Sequence, residues 1–504
     1  MTSVQGRLLN SILALALVAI GTNTVRLSAQ PDTEVSALRD DLKARRARLS
    51  DKLGSGSMAV LWSAPARVYS RDVDYEYRQD SDLLYLTGIE QPGTILVLVP
   101  GSPHRSEVLF ITPSNPRQEH YVGKFLSAEE ARARTGIETV FLTTEFDQFL
   151  AAMFNRRPYG LLVDAARDNN DYDGFFKALD DGTARLALRL EGTPGMNEPL
   201  NDEYMFANRV RERLIGARVI NLAPHVHGLR QVKTAYEQKL LIESVEISSE
   251  AHIAGMRAAR PERFEREVES AIESVYLARG AMAPGYPSIV GSGPNATTLH
   301  YSASSRRMNE GDLLLVDAAA NYKGQTGDIT RTYPVSGRFT PQQREIYELV
   351  LAAQNTAMKA ARIGGQTIDI ERAAEAVIKE GLLKLGLITD STGPQFRAWY
   401  THGICHWIGM DVHDVGDYKR PLEAGMAFVI EPGLYIRPEA LEQLADTPEN
   451  RAFRDKVGAA VKKYAGIGVR IEDSFLLTEK ELVRLSAKVP RTTQEIDDFM
   501  RSRK

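Results

Sequence analysis

Asp317 and Asp328 are two acids whose types and spacing suggest chemistry. The short apolar run 313–316 ends in Asp317, a polar stretch containing glycine follows, and Asp328 comes next. The pattern predicts two strands joined by a tight turn. The midpoint of the two acids falls between Tyr322 and Lys323. A hairpin folded symmetrically there sets Asp317 opposite Asp328, with Cβ atoms about 4.5–5.5 Å apart. Carboxylates that close repel and do not both ionise without a cation. Two divalent ions roughly 3.5–4 Å apart would fit between them. Taken alone, the hairpin reads more simply as a turn flanked by solvated acids, so the rest of the chain must decide.

Three of the nine histidines, His402, His406 and His413, fall within residues 401–413. His402 and His406 are four apart and share a face on a helix or on a strand; the β-branched and aromatic flanks favour extended or turning backbone. Each histidine alone reads as a hydrogen-bonded core residue, but three together point to a site. Downstream, Glu431 ends an apolar strand just before Pro432-Gly433, and Arg470 and Glu472 alternate on one face with Gly468. Asp317, Asp328, His406, Glu431 and Glu472 together carry four carboxylates and one imidazole. Their charge would balance two divalent ions. The set is hard and oxygen-rich, which suits Mn²⁺ and tolerates Co²⁺ or Zn²⁺. Two such ions can hold a bridging water and make hydroxide near neutral pH. Cys405 sits beside His406, but no third residue is evident to orient a nucleophilic pair, so the thiol reads as small buried filler.

These residues need a scaffold, and the chain is long enough for two or three domains at 504 residues. Its 43% hydrophobic and 25% charged residues are those of a globular protein, and a net charge of −4 gives no basic field for nucleic acid. Residues 1–29 have the layout of a secretory signal peptide: Arg7, an apolar core over 12–20, and small residues at Ser28-Ala29. The expectation is an exported protein, periplasmic or secreted, with no membrane attachment after cleavage. With Cys405 the single cysteine, no intrachain disulfide forms.

After a charged helix over 34–53, strands are predicted at 58–62, 94–99, 107–111, 159–164 and 186–190, alternating with helices as in an α/β domain. His104 and His120 read as surface residues. The stretch 77–88 reads as strand, turn and polar loop, and His225 and His227 lie in a linker. The pattern changes near residue 229. Two helical stripes, one with Leu240, Ile247, Ala251 and Ala254 and one stopping at Gly280, precede strand-rich sequence over 288–334. Helices then start again at Thr340, an N-cap followed by Pro341, and over 368–385. Strands return over 399–434 and 469–477. Two helices then strands, twice over, predict an internal duplication with the site between its halves. Residues 438–465 look like a surface insertion near the site mouth.

Five segments in this order, His300-Tyr301, the Asp317/Asp328 hairpin, HGICHWIGMDVHDVG, EPGLY and GVRIED, resemble aminopeptidase P (Xaa-Pro aminopeptidase), a metallopeptidase family of pita-bread fold. RQDSDLLYLTG resembles the family's N-terminal domain, and the likeness runs over roughly residues 55–490. The resemblance implies an α+β protein: signal peptide 1–29, an α/β N-terminal domain 30–228, and a catalytic domain 229–504 with a curved antiparallel sheet and outer helices. It implies that Asp317 binds one metal, that Asp328 and Glu472 bridge both, and that His406 and Glu431 hold the other. Glu431 would also carry the proton to the leaving nitrogen, His413 would stabilise the oxyanion, and His300 would hold the substrate. His402, Tyr435 and Arg470 would line the proline pocket. The implied reaction is attack of a metal-bridging hydroxide on the Xaa-Pro bond of peptides with proline second, by a homodimer or homotetramer. Some members carry an aromatic pair where this chain has Leu83-Leu84. The alternatives are an Xaa-Pro dipeptidase with the same metal set, or a pita-bread domain kept as a non-catalytic peptide binder. All five ligand positions carry competent residues, which speaks against the binder. Methionine aminopeptidases lack an N-terminal domain of this size.

Overall fold

A computed structural model describes residues 32–157, 159, 171–192 and 194–503. The signal-peptide reading of 1–29 and, apart from Tyr159, the strand expected over 159–164 lie outside the described residues. The chain opens with the helix Asp32–Leu53. Strand β1 (Ser57–Trp62), a small exposed hairpin of β2 (Val68–Ser70) and β3 (Val73–Asp74), and strands β4 (Ile95–Leu98), β5 (Glu107–Ile111), β6 (Thr139–Leu142), β7 (Ala184–Leu188) and β8 (Ala217–Asn221) follow. Six of them form one mixed sheet in the order β6-β5-β4-β1-β7-β8. Strand period decides its two faces. Met58 and Val60 point into one buried cluster with Val97 and Phe110. Ala59 and Leu61 point into the other with Leu96, Leu98 and Leu109. A sheet covered on both faces explains why β4 is a continuous apolar run rather than an alternating one.

The stretch 77–88 corrects the expectation of a strand, turn and loop, because Ser81–Thr87 is a helix. Asp80 caps it by accepting from the Leu83 amide, and Gly88 closes it at φ 65°. Leu83, Tyr85 and Leu86 are buried by it. His104 and His120 are exposed, as expected.

Past the helix Ala223–Arg230, two packed helices, Ala235–Ala258 and Glu265–Ala278, lead into β9 (Ala283–Pro284), β10 (Ile289–Ser292), β11 (Leu313–Asp317), β12 (Ala320–Tyr322), β13 (Gln325–Thr326) and β14 (Thr330–Pro334). Two more, Pro341–Ala360 and Thr367–Lys384, lead into β15 (Ala427–Ile430), β16 (Gly433–Tyr435), β17 (Gly468–Arg470), β18 (Asp473–Leu477) and β19 (Leu482–Arg484). The first helix of the second pair starts with the expected capping box at Thr340 and Gln343. The halves carry matching antiparallel sheets, β10-β11-β14 and β15-β18-β19, joined by a bridge between Thr330 and Glu472. This is the pita-bread arrangement, helices outside and sheets inside. One large core runs through both halves, with Val316, Ile346, Trp399 and Phe428 all in it.

Three expectations need correction. Asp317 does not face Asp328; it pairs with Thr330. The turn is centred between Lys323 and Gly324, at φ 50° and 80°, which is the left-handed two-residue turn that hairpins favour. Residues 401–413 contain no strand, only isolated bridges at Trp407 and Gly409. Finally, 438–465 is more than a surface excursion. Its helix Pro448–Tyr464 buries Phe453, Val457, Val461 and Tyr464 in the main core.

Candidate metal centre

Each half delivers two acids, one at or just after the end of a strand and one just before the strand that pairs with it. Asp317 ends β11 and Glu431 follows β15; Asp328 precedes β14 and Glu472 precedes β18. In the first half the ladder breaks where the acids sit. The amides of Gly327 and Asp328 leave it and donate to Ser244 Oγ (3.1 Å) and Ser474 Oγ (2.9 Å). This break brings the two carboxyls together although their residues are out of register. Tyr286 Oη lies 2.6 Å from Asp317 Oδ1 and 2.5 Å from Asp328 Oδ1.

His406 Nε2 faces the oxygens of Glu431 (3.4 Å), Asp328 (3.6 Å) and Glu472 (3.8 Å). Its Nδ1 lies 3.1 Å from the Trp407 carbonyl, which assigns the proton to Nδ1 and leaves the Nε2 lone pair pointing at the acids. The Nε2–oxygen separations are long for hydrogen bonds. They match the spacing of neighbouring ligand atoms that each lie about 2.0–2.2 Å from one ion. The ligand atoms of Asp328, His406 and Glu472 lie within 4.8 Å of one another. Glu472 Oε1 is buried and has no hydrogen-bond partner; a buried acceptor left so costs about 1–3 kcal/mol unless something binds it. Three buried acids, the partly exposed Glu431, an oriented imidazole and an orphaned oxygen fit divalent metal ions.

Arg470 organises the far side. Its guanidinium reaches Asp317 Oδ2 (2.5 Å), Thr330 Oγ1 (3.1 Å) and Tyr435 Oη (2.8 Å). Tyr435 Oη lies 2.8 Å from His402 Nε2, and His402 Nδ1 lies 2.6 Å from the Gly403 carbonyl. Thr330 Oγ1 in turn donates to Glu472 Oε2 at 2.6 Å. Thus Arg470 is a buried ion-pair partner of Asp317 as well as a neighbour of the expected pocket. Asp317 keeps lone pairs on both oxygens, since each can accept twice.

Burial governs the protonation of the cluster. It drives Asp328 well above the carboxylate range, helped by the charge of Asp317. Glu472 rises likewise, with Asp328 adding to burial. Glu431 is pushed up to about 8 by burial, against the opposing charge of Arg470. At Asp317 burial acts upward too, but Arg470 and its hydrogen bonds outweigh it and hold the carboxyl low. Burial lowers His406 to about 3 and His402 to about 4. Acids this close hold protons unless cations replace them.

His413 stacks on His406, ring centroids 3.8 Å apart and 13° from parallel, with its own side exposed. His300 is exposed on the segment after β10, near enough that its charge acts on His402 and His413. Nine of the ten expected site residues are thus joined by direct contacts, and His300 lies near enough to act electrostatically on two of them. Cys405 is only partly exposed and burial lifts its thiol out of the reactive range, as expected of filler. Tyr286, Thr330 and Ser474 were not anticipated. Only the break Gly285-Tyr286-Pro287 before β10 hinted at the first, and nothing in spacing marked the other two. The linker histidine His227 lies instead on the helix Ala223–Arg230, 3.4 Å from both Asp82 and Glu191.

A pita-bread fold with this ligand set defines a metal-dependent peptidase. Residues 239–479 match the model of metallopeptidase family M24, and residues 42–162 match the aminopeptidase P N-terminal domain. The chain is 34% identical to the Xaa-Pro aminopeptidase of Escherichia coli (strain K12), covering 92% of this chain and 98% of that one. Its fold superposes on the aminopeptidase PepP of Pseudomonas aeruginosa at TM-score 0.77 (33% identity; 92% and 98% covered). It superposes equally on aminopeptidase P from E. coli with the inhibitor Pro-Leu, at TM-score 0.77 (32% identity; 92% and 98% covered). The chain belongs to the aminopeptidase P family within metallopeptidase family M24. It is a metallo-aminopeptidase, a hydrolase that uses divalent metal ions, and these likenesses do not favour the dipeptidase reading.

Proposed function

We propose that this protein releases the N-terminal residue from peptides with proline in second position. The observation that carries the reading is the convergence of Asp328, Glu431 and Glu472 on His406 Nε2, beside the strip Arg470–Tyr435–His402. Asp317 would hold one ion, Asp328 and Glu472 would hold both, and His406 with Glu431 would hold the other. The oxygen-rich set favours Mn²⁺, with Co²⁺ or Zn²⁺ as substitutes. Bound divalent ions supply Lewis-acid polarisation of the scissile carbonyl and a nucleophile at neutral pH.

The chain's own residues do the rest. An Xaa-Pro amide nitrogen carries no hydrogen and leaves only if protonated, so it needs an acid at hand. Glu431, 3.4 Å from His406 Nε2 on the rim of the cluster, would take the proton from the attacking hydroxide and pass it to that nitrogen. His413, held flat against His406 with one side open to the cleft, donates to the developing oxyanion. His300 holds the substrate near the scissile bond. His402, Tyr435 and Arg470 present one fixed hydrogen-bonded wall to the proline and the residue after it.

Three further parts of the reading rest on other features. The signal-peptide pattern of 1–29 supports export to the periplasm or outside. The separate core of the β1–β8 sheet supports an N-terminal domain over 30–228 and a catalytic domain over 229–504. Exposed aromatics of the first domain support a homodimer or homotetramer: Tyr69 and Tyr75, which pack on each other, and Tyr121 at 80% exposure. Light scattering of the purified protein tests the last. The substrate test compares an Xaa-Pro-Xaa tripeptide with an Xaa-Pro dipeptide in the presence of Mn²⁺. Cleavage of the tripeptide is expected; cleavage of the dipeptide alone contradicts the reading.

A further inference from the structure

Glu265 is the first residue of the helix Glu265–Ala278 and is fully buried. No cation lies within ion-pair distance of it among the described residues. Its carboxylate is instead surrounded by neutral donors from one segment of chain. Oε1 accepts from the Ser292 amide (2.7 Å), Ser292 Oγ (2.7 Å) and Asn295 Nδ2 (3.1 Å). Oε2 accepts from Tyr301 Oη (2.8 Å) and the Arg306 amide (2.9 Å). The Glu265 amide donates back to the Arg306 carbonyl at 3.0 Å.

That segment carries His300. Apart from the short turn Gly293–Thr297 it has no helix or strand before residue 307, so no ladder holds its backbone. Glu265 grips both of its ends and the tyrosine next to His300. A second contact fixes the near end: the Ala296 carbonyl lies so close to Gly468, two residues before Arg470, that a Cβ there would come within 2.1 Å of it. Hydrogen bonds to a charged acceptor are worth about 1.5–3 kcal/mol each, so one carboxylate with five donors is a strong clamp on an otherwise irregular segment.

We infer that Glu265 is a positioning residue for the peptidase reaction: its carboxylate sets the place of His300 by gathering both ends of the segment that carries it. The inference rests on the role given to His300 above. It predicts that Glu265 acts on the reaction through His300 and not through the metal ligands.

The test is a double-mutant cycle on the full-length, Mn²⁺-loaded enzyme with an Xaa-Pro-Xaa tripeptide. Glu265→Gln and His300→Ala are made singly and together, and kcat/KM, metal content and melting temperature are measured for each. Glu265→Gln is expected to lower kcat/KM about tenfold or more, since small misplacements near a scissile bond are costly. In the His300→Ala background the same change should cost less than about twofold. Metal content should not change, and any loss in melting temperature should be the same in both backgrounds. Equal losses of kcat/KM in both backgrounds, or no loss from Glu265→Gln alone, overturn the inference. Near-normal activity of His300→Ala alone overturns the role of His300 itself, which separates the two failures. Tyr301→Phe, which removes one of the five donors, runs the same cycle if Glu265→Gln does not fold.

Discussion

His406 and His413 lie face to face, with ring centroids 3.8 Å apart and only 13° between their planes. Two imidazoles so placed cannot both be cationic without strong repulsion. Burial lowers both, and the charge of His413 adds to the lowering at His406. Burial first and the stack second thus keep His406 neutral, and the stack fixes the height of His413 above it. His413→Phe should preserve the stack and the metal content but lower kcat by about 10², while KM for the tripeptide changes little. If the phenylalanine variant keeps more than about a tenth of the activity, His413 acts by packing and not as a donor.

The residue after His413 ties this loop to the linker. Asp414 accepts from Lys233 Nζ (2.6 Å) and Arg230 Nη2 (2.5 Å), and Arg230 also reaches Asp82 (2.7 Å) and Asp411 (2.7 Å). Lys233, Arg230 and Asp414 are all buried. Breaking a buried charge set from one side is costly, so Asp414→Asn should destabilise the protein by about 3–5 kcal/mol. Denaturant unfolding measures it; a change below about 1 kcal/mol, the size of a surface pair, contradicts the picture.

His227 predicts a pH dependence. Burial lowers its pKa, but the carboxylates of Asp82 and Glu191, each 3.4 Å from Nε2, outweigh that and raise it to about 9. A histidine raised on folding gives stability that is complete below the unfolded value near 6.5 and is lost as pH rises through about 9. Thermal unfolding should therefore show wild type above His227→Gln at pH 6, with the gap closing between pH 7 and 9.5. Glu191 is half exposed, so screening keeps the gap to about 1–2 kcal/mol. A gap that widens with pH contradicts the assignment.

The identity of the acids was legible in the sequence, and their mutual geometry was not. Alternation and strand ends pointed to Asp317, Glu431 and Glu472. The hairpin register slipped because Gly324, not the arithmetic midpoint, decides where a left-handed turn forms. The ladder break that then reunites Asp317 with Asp328 depends on Ser244 and Ser474, which are distant in sequence. Residues 401–413 read as strand because their side chains are β-branched and aromatic. Only residues 404–408 run beside β15, through three backbone bonds between Ile404, His406 and Ile408 and Glu431, Val429 and Ala427, and the rest turns away, so no continuous strand forms. Helix boundaries fared best where caps are local, as at Thr340. The insertion helix was misplaced outside the core because its charged positions hide a single apolar stripe.

The most direct test of the central claim is the metal content and activity of Glu472→Gln. Glu472 joins both halves through Thr330 and carries the orphaned oxygen. If it serves both ions, the purified variant given Mn²⁺ should hold fewer than two ions per chain by elemental analysis. It should also lose at least about 10²-fold in kcat on an Xaa-Pro-Xaa tripeptide. Two tightly held ions with activity close to wild type would contradict the proposed dinuclear centre.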